Sequence, residues 1–451
     1  MFFKKIESKG LAHFSYMIGD GNQLAVIDPR RDVQIYIDIA NREGMTITTI
    51  LETHRNEDYT IGSIELSEKT NATIYISAHE DLGYVYGEKI YDGDELTIGS
   101  LTIRAIHTPG HTLGHMSYAV FEDGRDKAYL VFTGDCLFMG DLGRTDFYGE
   151  ENLEKMTGLL YDSVVDKLYP LGEHVQVLPA HGFGSACGAS VEDRPYTTIG
   201  YEKAYNPELQ VASRQEFIQK FGRMRIKPRY FEVMEVNNVK GAPFVHHPTS
   251  LPPLSMEDIQ DRGIHIFDVR AKEAYFGGHI PGSLFLSRNN FSTFAANLVD
   301  VSTPVAFIVP ENNMDMLMEL YFMARRIGFD HVLGYIPNAL DNWQNESNPI
   351  EKLSTISAEY YLELNDDSVL LDIRKPEHMS DNDPVRNRIN IALEELYKEY
   401  VKLPKEKDIY ILCASGDRST TAASFLAIQG IRSIVIEGGI QALNDVAHVT
   451  D

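Results

Sequence analysis

Residues 46–60 read TITTILETHRNEDYT, a β-branched run that stops at a polar stretch containing His54 and Asp58. A short run of Ile and Thr is typical of a buried strand. Further apolar runs of the first half also end in a histidine or an aspartate: TIYISAH, LTIRAIHTPGH, AYLVFTGD and HVQVLPAHG. Strand ends on a rigid sheet can hold several side chains around one point. We therefore predict a β-rich first domain with its site at the strand ends.

The composition limits the class of protein and its partners. A chain of 451 residues is too long for one ordinary core, and about 150 residues per domain predicts about three domains. A formal net charge of −25 disfavours nucleic-acid and membrane partners. No apolar run is long enough for a membrane span, only three cysteines are present, and no signal peptide is recognisable. We expect a cytoplasmic protein that forms a homo-oligomer.

The second half contains an internal repeat. Residues 307–340 and 410–443 have equal length and match as strand, loop, helix and strand, and IFDVRAKEAY and LLDIRKPEHM match upstream of them. This pattern predicts two α/β units of about 100 residues, each with a parallel sheet covered by helices. A Pro-rich linker, VKGAPFVHHPTSLPPLSM, precedes them. The predicted domains span residues 1–243, 250–346 and 352–451.

Four motifs carry the histidines and acids of the first domain: T-H-x-x-x-D, G-H-T-x-G-H, T-G-D and P-A-H-G. Together they resemble the metallo-β-lactamase superfamily over most of residues 1–240. The resemblance implies an αββα sandwich with a metal site at the sheet edge. With the two α/β units, the predicted fold class is α/β and α+β multidomain.

The motif at residues 53–59 departs from the dinuclear hydrolases of that superfamily, which read T-H-x-H-x-D-H. Asn56 and Tyr59 replace the second and third histidines, so each of two metals would lose a ligand. The residues that remain, His54, His111 and Asp135, form the two-histidine, one-carboxylate set of non-haem Fe(II) oxygenases. We therefore expect one Fe(II) per chain rather than a two-metal hydrolytic site.

The run GDCLFMGDLGRTDF, residues 134–147, resembles the signature of the persulfide dioxygenases within the superfamily. That resemblance implies oxidation of a low-molecular-weight thiol persulfide by O₂ to sulfite and thiol. Asp58, Tyr59 and His181 would become outer groups that orient the ligands or bound water. Arg144 either clamps a substrate carboxylate or ties loops together.

Two of the three cysteines, Cys136 and Cys187, lie near the predicted ligands in sequence. Either thiol is a candidate to meet the persulfide, although a small buried cysteine is common. The sequence leaves their role open, as it does the identity of the thiol that carries the persulfide.

The second repeat carries CASGDRS, residues 413–419, between an apolar strand and a helix. Backbone N–H groups and the helix start would stabilise an anionic sulfur on Cys413. The loop resembles that of rhodanese-type sulfurtransferases, which implies that Cys413 carries a persulfide and that Cys413 and Arg418 are the catalytic residues of this domain. The Cys413 persulfide would pass sulfur to sulfite, giving thiosulfate. The first repeat keeps FDVR and GGHIPGS but has Pro310 at the cysteine position, which predicts an inactive module.

Two alternatives stay open. One is a zinc-dependent thioesterase of the glyoxalase II kind, whose rhodanese modules regulate it. The other is a sulfur-carrier scaffold with an inert metal domain.

Overall fold

The computed structural model describes residues 1–188, 190–364 and 367–450, without the side chains of residues 260, 261, 312 and 448–450. The chain divides into two compact units. The first comprises Met1–Lys227 and Phe231–His247, and the second comprises Pro228–Tyr230 and the chain from Pro248 onward.

Two six-stranded sheets form the first unit. The strands of the first sheet, in spatial order, are β1 Phe2–Ser8, β2 His13–Asp20, β3 Gln23–Ile27, β4 Thr46–Leu51, β5 Thr73–Ser77 and β6 Glu88–Ile90. The strands of the second sheet, in reverse spatial order, are β7 Glu95–Ile98, β8 Leu101–His107, β9 Met116–Phe121, β10 Leu130–Gly134, β11 Gln176–Pro179 and β12 Thr197–Thr198.

Strand directions bring the carboxyl ends of several strands to one edge of each sheet. In the first sheet, β3 is parallel to β4, and β4 is parallel to β5. In the second sheet, β8 and β10 are both antiparallel to β9, so they share a direction, and β11 is parallel to β10. The loops after these strands are therefore the ones that can meet around a site.

Helices cover the outer faces of the two sheets. They are α1 Gln34–Glu43, α2 Ser63–Thr70, α3 Glu150–Asp162, α4 Ile199–Tyr205, α5 Arg214–Phe221 and α6 Phe231–Lys240. One apolar cluster, with Tyr16 and Phe132, lies between the sheets. A second packs α1 and α2 against the first sheet, and a third packs α3 and α5 against the second sheet. The predicted αββα sandwich is confirmed.

The second unit contains two parallel sheets. The strands are β13 His265–Asp268, β14 Leu284–Phe285, β15 Val305–Ile308, β16 Val332–Tyr335, β17 Ser354–Ile356, β18 Val369–Asp372, β19 Arg388–Asn390, β20 Ile409–Leu412 and β21 Ile434–Ile436. The helices are α7 Met256–Asp261, α8 Lys272–Gly277, α9 Phe291–Leu298, α10 Met314–Arg326, α11 Ala339–Asn345, α12 Ala358–Glu363, α13 Leu396–Glu399, α14 Asp417–Ile428 and α15 Gly439–Thr450.

The strand order confirms the internal repeat. The first sheet has the order β14-β13-β15-β16, and the second has β19-β18-β20-β21 with β17 added at its edge. The central strands β15, β18 and β20 are buried along their whole length, as expected of parallel strands covered on both faces. Pro310 follows β15 and Cys413 follows β20, so the two loops occupy equivalent places.

The segment predicted to link the domains is irregular from residue 241 to 255, between α6 and α7. The predicted last domain, 352–451, includes residues 365, 366 and 451, which lie outside the described residues. Within the described part of the chain, no helix is long and apolar enough to cross a bilayer.

Candidate functional site

The ends of five strands bring the candidate residues of the first unit together. Asp28 follows β3, His54 lies in the loop after β4, and His111 in the loop after β8. Asp135 directly follows β10, and His181 lies two residues past the end of β11. All five side chains are buried, so the strand ends supply a polar cluster inside an otherwise apolar domain.

Three buried side-chain atoms of this cluster that could bind a metal have no hydrogen-bond partner among the described residues. They are His54 Nε2, His111 Nε2 and Asp135 Oδ2. Asp135 Oδ2 lies 3.9 Å from His54 Nε2 and 3.5 Å from His111 Nε2. Ligand atoms that each lie about 2.0–2.2 Å from one ion are at most about 4.4 Å apart. Both separations from Asp135 Oδ2 are therefore short enough for ligands of one metal ion, and the donor atoms of His54 and His111 lie within 4.8 Å of each other.

A hydrogen-bonded chain orients the His54 imidazole. Asp28 accepts hydrogen bonds from Thr53 N at 2.8 Å and from Thr53 Oγ1 at 2.7 Å. Thr53 Oγ1 donates its proton to Asp28, so it accepts a hydrogen bond from His54 Nδ1 at 2.8 Å. Burial holds the pKa of His54 well below its ordinary value, so the ring is neutral and its Nε2 lone pair faces the cluster.

His111 is oriented in the same way, since its Nδ1 donates to Arg144 O at 2.8 Å. His115, in the same G-H-T-x-G-H motif, contacts the backbone of Asp135. Its Nε2 accepts the hydrogen bond of Asp135 N at 2.9 Å, and burial lowers its pKa to about 3. Gly134 has φ +51°, and a Cβ there would lie 2.5 Å from His115 Nε2. Only glycine lets the chain turn there and present Asp135.

His181 bridges two carboxylates. Its Nδ1 lies 2.6 Å from Asp135 Oδ1 and its Nε2 lies 2.9 Å from Asp58 Oδ2. Burial alone would lower its pKa, but Asp135 and Asp58 raise the pKa well above the ordinary value. Both ring nitrogens of His181 therefore face carboxylate oxygens, and the Asp58, His181 and Cys187 donor atoms lie within 4.8 Å of one another. His181 also holds the pKa of Asp135 well below its usual range against the effect of burial.

Asn56 and Tyr59 fill the space at the two remaining motif positions. Asn56 Nδ2 donates to His54 O at 3.2 Å, inside the loop. The Tyr59 ring packs on His13 with centroids 4.0 Å apart, and its hydroxyl lies 3.4 Å from Asp28 O. Both side chains are fully buried. The outer position predicted for Tyr59 agrees with these contacts, and its role there remains a prediction.

In the second unit, the loop after β20 folds over the sulfur of Cys413. Gly416 N donates to Cys413 Sγ at 3.0 Å. Gly416 has φ +101° and is the residue before α14, so the sulfur lies beside the start of that helix, where backbone N–H groups favour an anion. Cys413 is 1% exposed, and Arg418 lies half-buried in the first turn of α14.

The first repeat contacts this loop. Lys272 Nζ, at the start of α8, lies 3.2 Å from Asp417 Oδ1, at the start of α14. Nearby, Phe285 N of β14 donates to Ser424 Oγ of α14 at 3.0 Å. The repeat without a cysteine thus places a cation beside the acid that follows the cysteine loop.

Family profiles match both halves of the chain. The metallo-beta-lactamase superfamily profile matches residues 9–181, and the rhodanese-like domain profile matches residues 254–346 and 357–445. A metallo-beta-lactamase from Staphylococcus aureus subsp. aureus COL, known from its crystal structure, is 30% identical. The match covers 75% of this chain and 99% of that one, with a TM-score of 0.67. The chain belongs to the metallo-beta-lactamase superfamily. Two rhodanese-like domains follow its metallo-beta-lactamase domain.

Two curated relatives match over shorter lengths. The probable metallo-hydrolase YqgX of Bacillus subtilis is 30% identical over 43% of this chain and 91% of its own length. A hydroxyacylglutathione hydrolase-like protein of Mus musculus is 31% identical over 39% of this chain and 68% of its own length. Membership of this superfamily and the rhodanese-like domains indicate an enzyme.

The Arg144 guanidinium donates hydrogen bonds to groups of its own metallo-beta-lactamase domain. Its Nε and Nη2 donate to the two oxygens of Asp146 at 2.6 and 2.7 Å. Nη1 donates to Ile226 O at 3.0 Å, and Nη2 also donates to Arg225 O at 3.1 Å. With 2% of its surface exposed, this guanidinium ties loops together. Of the two roles predicted for Arg144, the geometry favours this one over the substrate clamp.

The sequence did not single out several residues of this metallo-beta-lactamase site. Asp28, Thr53 and His115 position His54 or Asp135 instead of facing the predicted metal position themselves. Motif spacing does not indicate such positioning residues. Glu57 could have been noticed in the sequence, because it is an acidic residue in the stretch where Asn56 and Tyr59 replace two histidines. Its Oε2 is buried without a hydrogen-bond partner, 3.4 Å from His111 Nε2.

The two cysteines of the metallo-beta-lactamase domain differ in position. Cys187 Sγ lies within 4.8 Å of the donor atoms of both His111 and Asp135. Cys136 is buried in the apolar cluster beside α3. Burial raises the pKa of both thiols, which disfavours either one as a free thiolate nucleophile.

Proposed function

We propose that this chain is a non-haem Fe(II) persulfide dioxygenase coupled to a rhodanese sulfurtransferase. The observation that carries the proposal is the pairing of His181 with both Asp58 and Asp135. At the second metal position of the two-metal hydrolases, Tyr59 offers no imidazole, and both ring nitrogens of His181 already face carboxylate oxygens. A single ion held by two imidazoles and a carboxylate supports oxygen chemistry better than two-metal hydrolysis.

His54, His111 and Asp135 would hold the ion. When bound, Fe(II) supplies the electron transfer to O₂ that no protein side chain can provide. The protein positions and orients the ligands: Thr53 and Asp28 fix the His54 ring, and Arg144 O fixes the His111 ring. His181 keeps Asp135 ionised and holds a proton beside it. No side chain is required to attack the substrate.

The overall reaction balances without a further reductant. One persulfide, R-S-SH, one O₂ and one water give R-SH, one sulfite dianion and two protons. The terminal sulfur is oxidised and O₂ is reduced. A cleft lined by Arg55, Ser77, Glu80 and Tyr84 borders His54 and is the route by which we expect the persulfide to arrive.

The last domain would use the sulfite. A terminal sulfur carried on Cys413 as Cys-S-S⁻ is transferred to sulfite, which forms the new S–S bond of thiosulfate and releases the Cys413 thiolate. The Gly416 amide and the start of α14 stabilise the anionic sulfur before and after transfer. Joining the two activities in one chain raises the local concentration of the shared intermediate.

The rival function is hydrolysis of a thioester, as the hydroxyacylglutathione hydrolase-like relative suggests by its name. A hydrolase of that kind uses two metal ions. Metal analysis therefore separates the two functions before any substrate is known.

Purified protein from iron-replete cells should contain about one Fe per chain and consume O₂ when given a low-molecular-weight persulfide. Asp135→Ala should lose both the iron and the O₂ uptake, because it removes a ligand. Two zinc ions per chain together with hydrolysis of a glutathione thioester would contradict the proposal.

A further inference from the structure

Glu57 has the burial and orientation of a metal ligand. It lies in the loop after β4, three residues beyond His54, and its side chain has no exposed surface. A carboxylate is almost never fully buried unless it is paired with a cation or bound to a metal. The contacts of the two Glu57 carboxylate oxygens distinguish between pairing with a cation and binding to a metal.

The two oxygens of Glu57 face different groups. Oε1 lies 3.4 Å from Arg55 Nη2, on the side where Arg55 also meets Glu235. Oε2 has no hydrogen-bond partner among the described residues and lies 3.4 Å from His111 Nε2 and 3.7 Å from His54 Nε2. Arg55 therefore accounts for one oxygen only, and the other points at the predicted metal position.

The donor atoms of His54, Glu57 and His111 all lie within 4.8 Å of one another. Asp135 Oδ2 faces the same two imidazole nitrogens from its own strand end. These four atoms, two nitrogens and two carboxylate oxygens, lack hydrogen-bond partners among the described residues. Each of the two carboxylate oxygens lies within 3.9 Å of both imidazole nitrogens, so a cation bound by the two nitrogens is flanked by both carboxylates.

We propose that Glu57 is a fourth protein ligand of the ion that His54, His111 and Asp135 hold. The centre is then a two-histidine, two-carboxylate site, rather than the three-ligand set that the sequence predicts. This inference rests on the proposed metal centre and refines it. A centre made of a divalent ion and two carboxylates has no net charge. It also has one open coordination position fewer than a three-ligand centre, so less room remains for substrate and O₂ together.

The stability of the metal-free protein tests this assignment independently of catalysis. Without an ion, the Glu57 and Asp135 carboxylates are buried around one point and repel each other. Glu57→Gln keeps the shape and removes one charge. The metal-free variant should therefore unfold at a higher temperature than metal-free wild type. If Glu57 served only to pair with Arg55, the same change would lower the unfolding temperature.

Co(II) binding supplies the second measurement. Chelator competition should give an affinity at least about tenfold weaker for Glu57→Ala and Glu57→Gln than for wild type. The visible absorption bands of the Co(II) protein should also change, because the ligand set changes. Glu235→Gln, which alters the other partner of Arg55, is the matched control and should match wild type in both readouts.

The outcomes separate the inference from the proposed function. Wild-type protein that binds neither Co(II) nor Fe(II) would overturn the metal centre and the Glu57 role together. Wild-type binding with an unchanged Co(II) spectrum and affinity in both Glu57 variants would overturn the Glu57 role alone. A metal-free Glu57→Gln protein that unfolds at a lower temperature than wild type would do the same.

Discussion

Asn56, Tyr59 and His181 stand at positions that supply ligands in two-metal members of the superfamily. Asn56 and Tyr59 cannot replace imidazole ligands, and both are packed away in the loop and against His13. His181 keeps its imidazole, and both of its ring nitrogens lie within hydrogen-bond distance of carboxylate oxygens, of Asp135 and of Asp58. The second metal position is therefore the one whose imidazoles are either replaced or already paired with acids.

Thr53 links the ligand His54 to the buried Asp28 through one hydroxyl. Thr53→Val removes this hydroxyl with little change of volume, so His54 loses the acceptor that fixes its ring. We expect metal affinity to fall by about 10- to 100-fold, as for other groups that orient metal ligands. Chelator competition measures this. Thr48→Val on β4, where the hydroxyl meets only Leu24 O and Thr49, is the matched control. Equal affinity in both variants would contradict the role given to Thr53.

The loop between a central parallel strand and the following helix distinguishes the two rhodanese-like repeats. In the second repeat, Cys413 follows β20 and Gly416 caps α14. In the first, Pro310 opens a short 3₁₀ turn before α10, and no thiol is available there. The first repeat instead contributes to its neighbour, because α8 and β14 contact α14. The repeat without a cysteine thus contacts the helix that begins at the cysteine loop.

Lys272 should assist the transfer of sulfur to an anionic acceptor, because it offsets the charge of Asp417. It is partly exposed, and such ion pairs contribute about 0.2–1 kcal/mol. Lys272→Met should therefore raise the KM for sulfite by about two- to fivefold, with a smaller effect on a neutral acceptor. Steady-state kinetics of thiosulfate formation measure this. Lys407→Met, which breaks an exposed pair with Asp367, is the control. A KM for sulfite that does not change would remove Lys272 from the reaction.

The two proposed chemistries belong to separate compact units of one chain. The metal cluster lies wholly in the first unit, and Cys413 lies in the second. Each centre is complete within its own unit: the donor atoms meet inside the first, and the loop amide and Lys272 meet inside the second. The two half-reactions should therefore separate by mutation.

Cys413→Ala should still consume O₂ with a preformed persulfide, while its product shifts from thiosulfate to sulfite. His54→Ala should lose O₂ uptake, while Cys413 still exchanges sulfur between donors and thiol acceptors. Pro310→Ala should change neither. An oxygen electrode and chromatography of the sulfur anions measure these outcomes. If Cys413→Ala loses O₂ uptake with every free persulfide, the cysteine acts before the iron and the proposed order is wrong.

The fold and the strand-end positions of the candidate ligands could be predicted from the sequence because they depend on local patterns. Apolar runs that end in His54, His111 or Asp135 encode both a strand and the side chain at its end. The internal repeat is likewise visible, since each copy is a contiguous segment with the same order of elements. The cysteine loop after β20 is encoded within a few residues.

The remaining features depend on contacts between distant residues, which no local pattern encodes. His181 meets Asp58 across 123 positions, and Arg144 meets Arg225 across 81. The first contact pairs an imidazole with a carboxylate, and the second is one of the hydrogen bonds that hold the Arg144 guanidinium inside its own domain. Glu57 lies in the opening motif, yet its Oε2 lies 3.4 Å from His111 Nε2, which follows a strand of the other sheet. Packing therefore decided which polar groups are already paired and which are left to bind an ion.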